Sequence, residues 1–223
     1  MLITILGSCR QDSLYNKYNI TPIQNNISYP HYPKEIIQVI NYCIYNNIKS
    51  SDTKIFRTPI LRNQIIINND YHDIIKKSDI YVIEIASRKY YKMNNLYVHH
   101  ILYDDKKYNK NKANIITGEE TDIEIEDDLN YIFKVLNKKK ILVVGHLVTK
   151  NIGKRYELMK LVKKICRKNN IYFIDPIKEL KNKNLNIEEL IIDEDIIAHY
   201  NKKGHNEILS IYTKYINLLT NNN

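Results

Sequence analysis

A short turn near the start of the chain carries residues capable of nucleophilic chemistry. The apolar run 2–6 ends at Gly7, and Ser8-Cys9-Arg10 follows directly. A glycine permits a tight turn after a strand, where a hydroxyl or thiol lies beside converging backbone N–H groups. Acyl transfer requires this pairing of a nucleophile with donors for an oxyanion. The turn is therefore the first candidate for an active site.

A distant histidine can supply the base that such a nucleophile needs. His199 lies near the other end of the chain and is preceded by an acidic run that contains two aspartates, Asp193 and Asp195. A histidine accepts protons near neutral pH, and a neighbouring carboxylate can orient its ring. We predict a nucleophile at Cys9 or Ser8 with His199 as its base. Asp195, which would share a helix face with His199 at a spacing of four residues, is the expected orienter, and Asp193 is the alternative.

The elements that must position these residues alternate between strands and helices. Short β-branched apolar runs predict buried strands, and apolar spacing of three to four residues predicts helices. The predicted strands are 2–6, 80–85, 140–144 and 171–174, and the predicted helices are 34–45, 70–77, 153–169 and 206–219. Residues 104–128 are polar and are expected to form a surface loop that runs into a helix through Phe133.

Strands separated by helices indicate a parallel sheet, because parallel pairing needs a long crossover. We predict an α/β fold, a three-layer α/β/α sandwich with a mostly parallel sheet of about five strands, as a single domain over residues 1–223. Ligands of such sheets bind beyond the carboxyl ends of the strands. Cys9, Ser87 and His146 all follow predicted strands and should project there.

Several polar residues at this edge have predicted roles. Ser87 is expected to contribute an oxyanion donor, and Arg88 and Lys89 to contribute positive charge. His146 is expected to border the same cleft, and a hydrogen-bonded structural role is its alternative. Arg10 is expected either to favour the thiolate of the neighbouring cysteine, together with the amino end of a following helix, or to bind a phosphate or carboxylate of the substrate.

Composition argues against several classes of protein, including nucleic-acid-binding, disulfide-rich and membrane proteins. The net charge of +9 and the pI near 9.2 suit a nucleic-acid surface, but the lysines are spread along the chain, so we do not expect one. The three cysteines, Cys9, Cys43 and Cys166, show no disulfide or zinc pattern and fit a cytoplasmic protein. Cys43 and Cys166 lie on apolar faces of predicted helices and are expected in the core. We expect neither a signal peptide nor a membrane-spanning stretch.

Motifs for cofactors are also lacking. The chain has no phosphate-binding Gly-x-x-x-x-Gly-Lys loop and no Gly-x-Gly-x-x-Gly, so no nucleotide cofactor is expected. His72, His99 and His100 lack the spacing of metal ligands, since adjacent histidines cannot share one helix face, and no metal site is expected.

The two ends of the chain together resemble the SGNH/GDSL hydrolases. The resemblance rests on the strand followed by Gly7-Ser8-Cys9 and on the block Asp195…His199-Tyr200-Asn201…Gly204 before the last helix. In that family the third residue of Gly-Asp-Ser is the nucleophile, and the matching position here is Cys9. The Gly-Ser-Cys-Arg form is similar to variants associated with bacterial glycan and capsule biosynthesis. The spacing Asp-x-x-His and the block Gly-x-Asn-Asp are not present.

A second segment carries a further resemblance. Residues 29–38 are similar to a stretch that follows Gly-Ser-Cys-Arg in uncharacterised SGNH-like proteins, which adds His31, Glu35 and Gln38 to the candidate site. Glu35 and Gln38 lie one helical turn apart, and a solvated helix start is their alternative.

The resemblance implies an acyl-ester hydrolase or acyltransferase that acts without a cofactor on a small molecule or glycan, such as an acylated sugar. The alternative is a catalytically inactive protein of the same fold that holds an anionic ligand with Arg10, Arg88 and Lys89. A basic nucleic-acid-binding factor is the third possibility. The oligomeric state does not follow from the sequence.

Overall fold

The centre of the fold is a five-stranded parallel sheet. The structure, a computed structural model, describes residues 1–49, 52–61, 71–137, 140–149, 152–192 and 199–221. The strands are β1 (Leu2–Leu6), β2 (Asn19–Ile20), β3 (Ile80–Ile85), β4 (Lys89–Met93), β5 (Leu96–Tyr97), β6 (Ile116–Glu119), β7 (Ile141–Gly145) and β8 (Tyr172–Ile174). The main sheet has the order β2-β1-β3-β7-β8, and each neighbouring pair is parallel.

Helices connect these strands. They are α1 (Ile23–Asn26), α2 (Pro33–Tyr45), α3 (Thr53–Phe56), α4 (Tyr71–Lys77), α5 (Ile101–Asp104), α6 (Asp122–Val135), α7 (Lys154–Lys168), α8 (Pro176–Asn182) and α9 (Lys202–Asn221), with 3-10 turns at Cys9–Asn16, Asn109–Asn114 and Glu188–Leu190. The amphipathic spacing of α2, α7 and α9 buries one stripe of each helix against the sheet. Among the described residues, no helix combines the length and apolar character needed to cross a membrane.

Each face of the sheet has its own apolar core. Ile83 and Ile85 of β3 join the cluster that contains residues of α2, α4, α6 and α7. Ile80 and Val82, which point to the opposite face, join the cluster that contains residues of α8 and α9. This alternation follows from the two-residue period of a strand. The result is the predicted three-layer α/β/α fold with a five-stranded parallel sheet.

The predicted strands agree with the observed ones, and each end lies within one residue of its expected position. The polar segment 104–128 was only partly predicted. It contains β6, which pairs antiparallel with β4 and, through it, belongs to a second sheet with β5. Because three of the four β6 residues are exposed, this edge strand has no apolar run that sequence analysis could detect. α9 also begins earlier than the predicted helix 206–219.

Candidate active site

A cavity of about 330 Å³ opens at the carboxyl edge of the main sheet. Its wall includes Cys9 after β1, Ser87 after β3 and His146 after β7. His199, from the far end of the chain, and His31 line the same cavity. The structure therefore brings together five of the residues that sequence analysis selected. Sequence separations of up to 190 residues are bridged because parallel strands end at one edge.

A buried carboxylate, Glu84, organises the floor beneath this cavity. One of its oxygens accepts hydrogen bonds from the Ser8 N–H at 3.1 Å and from the Ser8 hydroxyl. The other oxygen lies 3.1 Å from His146 Nδ1 and 3.8 Å from Arg10 Nη1. All four side chains are at most 3% exposed. Glu84 thus connects the turn after β1 to the end of β7.

The charge of this network resides on Glu84 and Arg10. Burial opposes the ionisation of Glu84, but the hydrogen bond from His146 and the Arg10 guanidinium outweigh it and hold its pKa well below the usual range. Burial lowers the pKa of His146, so its ring is neutral at pH 7. Arg10 also donates to the Ser8 hydroxyl at 3.0 Å. The Arg10 guanidinium is therefore engaged within the protein as well as lining the cavity.

Gly7 makes this arrangement possible through close approach. A Cβ at this position would lie 2.9 Å from Glu84 Cβ and 3.2 Å from the Glu84 backbone nitrogen. Only glycine allows β1 and β3 to come this close at their ends. Gln24 supports the same turn by donating to the Gly7 and Ser8 carbonyl oxygens at 2.9 and 3.1 Å.

Cys9 is the accessible nucleophilic side chain of the turn. It is half-buried, it begins the first 3-10 helix, and Ser8 caps that helix by accepting from the Arg10 N–H. Burial raises the pKa of Cys9, Asp12 raises it further, and Arg10 opposes both. Arg10 favours the thiolate as expected, but desolvation outweighs the guanidinium and leaves Cys9 as a thiol in the resting protein. Cys9 needs a base.

His199 meets the chemical requirement for that base. It lines the cavity with Cys9, and its pKa is lowered by burial and then by Arg10. A lowered pKa leaves the ring neutral at pH 7 and able to accept a proton. The expected orienters, Asp193 and Asp195, lie outside the described residues.

The segment after β3 departs from its predicted role. The Ser87 N–H donates to the His31 carbonyl oxygen at 3.0 Å, so it is not available to an oxyanion. The chain that crosses above β3 uses this N–H, while Ser87 itself lines the cavity, so a donor role for its side chain stays a prediction. Arg88 pairs with Asp122 at 3.0 Å and does not line the cavity, whereas Lys89 does.

The segment 29–38 contributes three residues to the cavity wall, His31 among them, whereas Glu35 and Gln38 do not line it. Glu35 is fully buried, accepts from the His31 N–H at 2.9 Å and from the Ser28 hydroxyl at 3.0 Å, and has a pKa that burial raises to about 8. Gln38 exchanges two hydrogen bonds with the Tyr97 backbone and anchors β5. A solvated helix start is thus the wrong interpretation of Glu35, whereas Gln38 is half-buried and bonded to the β5 backbone.

Three parts of the site were not predicted from the sequence. Glu84 is a charged residue within the apolar strand β3, and that interruption was the available signal. Arg155, which lines the cavity from the first turn of α7, was one of many basic residues and carried no signal. His99 and His100 also line the cavity, close to His31.

One solved structure shares the fold of this chain over nearly its whole length. No family profile and no curated protein sequence matches the chain. Among solved structures, a lipase/acylhydrolase from Enterococcus faecalis is similar over 96% of this chain and 94% of its own, with a TM-score of 0.52 and 11% identity. An acetylxylan esterase from Geobacillus stearothermophilus covers 96% and 93% at 14% identity, with a TM-score of 0.44. The first likeness indicates a shared α/β fold.

Proposed function

We propose that this chain is a single-domain, SGNH-like acyl-ester hydrolase or acyltransferase with Cys9 as nucleophile and His199 as general base. One observation carries the proposal: these two residues, 190 positions apart, line one cavity at the carboxyl edge of the sheet. Asp195 is the proposed orienter of His199, and Asp193 is the alternative. The free cysteines of the described residues favour a cytoplasmic location.

The burial of the two candidate nucleophiles favours Cys9 over Ser8. Ser8 is 1% exposed, and its hydroxyl donates to Glu84 and accepts from Arg10. Attack by Ser8 would require it to leave this network and strand a buried carboxylate. Cys9 is more exposed and lines the cavity. Ser8 therefore acts in the proposal as a structural link that holds the turn to β3.

The proposed reaction proceeds through a thioester. His199 takes the thiol proton as the Cys9 sulfur attacks the carbonyl carbon of an ester, and the tetrahedral intermediate then expels the alcohol, which receives that proton. Water in a hydrolase, or a second hydroxyl in a transferase, next attacks the thioester while His199 again takes the proton. Collapse releases the acid or new ester and returns the proton to the Cys9 sulfur.

Positive groups around the cavity can stabilise the oxyanion. The Cys9 N–H begins a helix, where backbone N–H groups favour negative charge. Arg155 and Lys89 line the same cavity and add two cationic side chains. A cavity of about 330 Å³ suits a small acyl group with part of a sugar or alcohol. The proposed substrate class, an acylated carbohydrate, rests on the resemblance of Gly7-Ser8-Cys9-Arg10 to variants associated with glycan biosynthesis.

A second candidate is a protein that binds an anionic ligand without turnover. Three cationic residues, Arg10, Lys89 and Arg155, line the cavity, and the raised pKa of Cys9 leaves its thiol unactivated at rest. Arg155 takes the place that sequence analysis gave to Arg88. This candidate predicts stabilisation by small dicarboxylates or phosphate esters and no effect of His199→Ala on that stabilisation.

Turnover of a small acetyl ester separates the two candidates. We expect Cys9→Ala to abolish hydrolysis and His199→Ala to slow it by a factor of about 10² to 10⁴, the usual contribution of a general base. His72→Gln, which changes an exposed histidine on α4, is the matched control and should retain full activity. Equal rates in wild type and Cys9→Ala would reject the catalytic proposal.

A further inference from the structure

Three histidines form a cluster in the wall of the cavity. The ring centroid of His31 lies 4.6 Å from that of His99 and 4.8 Å from that of His100. The centroids of His99 and His100 are 4.5 Å apart. One nitrogen of each ring lies within 4.8 Å of the others. The proposed acyl chemistry uses none of these rings, so the cluster calls for a separate explanation.

The rings of His31 and His100 are held in place by hydrogen bonds at Nδ1. His31 Nδ1 lies 2.7 Å from the Tyr29 carbonyl oxygen, and His100 Nδ1 lies 3.1 Å from the Asp104 carboxylate. A carbonyl or carboxylate partner fixes the proton on Nδ1 and leaves the lone pair on Nε2. Metal-binding histidines show this pattern of outer partners.

His99 supplies an independent indication. It is 4% exposed, and its Nε2 has no hydrogen-bond partner among the described residues. A buried polar atom without a partner is costly in a native protein and often marks a ligand position. His99 Nδ1 accepts from the Ile101 N–H at 3.3 Å. Coordination through Nε2 would move the ring proton to Nδ1 and break this long hydrogen bond.

We propose that His31, His99 and His100 form a binding site for one divalent transition metal ion, with Zn²⁺ as the preferred class. Imidazole nitrogens suit Zn²⁺, Cu²⁺ and Ni²⁺, while the lack of a carboxylate cage argues against Mg²⁺ and Ca²⁺. Nitrogen ligands of a tetrahedral zinc ion lie about 3.3 Å apart, so ring rotations have at most about 1.5 Å to close.

The position of the cluster gives the site an open side. All three histidines line the cavity, as does Asp104, so a water or substrate oxygen can complete the coordination. Burial lowers the pKa of each ring, which keeps the imidazoles neutral at pH 7 as metal binding requires. The expectation of no metal site was based on helical spacing, but His99 and His100 precede α5 and need not share its geometry.

Equilibrium dialysis with Zn²⁺ and visible absorption with Co²⁺ test the site without reference to ester turnover. We expect one ion per chain and a tetrahedral Co²⁺ spectrum for wild type and for His72→Gln. His99→Gln and His100→Gln should each weaken binding at least tenfold and change the spectrum. Asp104→Asn, which leaves all three rings intact, should weaken binding about tenfold and covers the case in which a histidine variant fails to fold.

Two results would overturn the proposal. One is the absence of Zn²⁺ and Co²⁺ binding at millimolar concentration in a folded wild-type chain. The other is binding that His99→Gln, His100→Gln and Asp104→Asn leave unchanged. Loss of the metal in Cys9→Ser alone would count as the second result, because it would assign the ion to the thiol. Loss of esterase activity with metal binding intact would reject only the proposed function.

Discussion

Glu84→Gln removes one charge from the network beneath the cavity and leaves its shape unchanged. The amide oxygen can accept from the Ser8 N–H and hydroxyl, and the amide nitrogen can donate to His146 Nδ1 once that ring changes tautomer. The hydrogen bonds can therefore be rebuilt. What the variant loses is the anion that faces Arg10, a guanidinium only 3% exposed.

A buried charge that loses its ionic partner costs about 3 to 5 kcal/mol. Because the hydrogen bonds of Glu84 can be rebuilt, we expect the lower end, a loss of about 3 kcal/mol in the free energy of unfolding at pH 7. The measurement is urea unfolding followed by circular dichroism. Glu157→Gln, at an exposed glutamate paired with Lys160, is the control and should unfold like wild type.

The loss should also depend on pH with a defined sign. The folded pKa of Glu84 is depressed, so its charge stabilises the protein fully above the ordinary glutamate pKa of about 4.3. That contribution declines below this pH, as the folded pKa is approached, and the difference between wild type and variant should shrink there. Arg10→Met added to Glu84→Gln should recover part of the loss. A loss under about 1 kcal/mol, or one that Arg10→Met deepens, would refute this reasoning.

Three further predictions concern the same region. Gly7→Ala should destabilise the fold by about 1 to 3 kcal/mol in urea unfolding, because the new Cβ meets Glu84; an unchanged midpoint would contradict the close approach. The pKa of Glu35 is raised to about 8 in the folded protein. The free energy of unfolding of wild type should therefore fall, relative to Glu35→Gln, by up to roughly 1.4 kcal/mol per pH unit as pH rises from about 4.3 to 8. Parallel pH profiles of the two proteins would contradict a buried neutral carboxyl. Iodoacetamide should label Cys9 slowly at pH 7 and faster as pH rises past 9, with peptide mass mapping as the readout; fast labelling at pH 6 would show a thiolate at rest.

The fold was largely predictable because its signals are local. The sequences of β1, β3, β7 and β8 are short apolar runs, which is the pattern of strands buried on both faces of a parallel sheet. The apolar residues of α2 and α7 recur at helical spacing. The second sheet was not predictable. Its edge strand β6 is held by backbone pairing to β4, and its side chains are mostly exposed.

Cavity residues could be predicted where a residue follows a predicted strand or belongs to a family motif. Cys9, His146 and His199 could be selected because they follow predicted strands or resemble a family block. The pairing of Glu84 with Arg10 depends on the register of β1 against β3, which composition does not specify. The histidine cluster depends on three segments folding onto one wall, a long-range contact without a sequence period.

The hydrogen bonds of Ser87 also depend on tertiary contacts that the sequence does not reveal. Its position after β3 was predicted, but the use of its N–H by the His31 carbonyl oxygen was not. A backbone donor at a strand end is available to a ligand only if no other segment crosses above it. Such crossings are decided by tertiary packing.

The most direct test of the central proposal is mass spectrometry of the chain after brief incubation with an activated acetyl ester. We predict one acetyl group on the peptide that contains Cys9, no acetyl group there in Cys9→Ala, and slower appearance in His199→Ala. An acetyl group on Ser8, or no acetyl group on the folded wild-type chain, would contradict the proposed nucleophile.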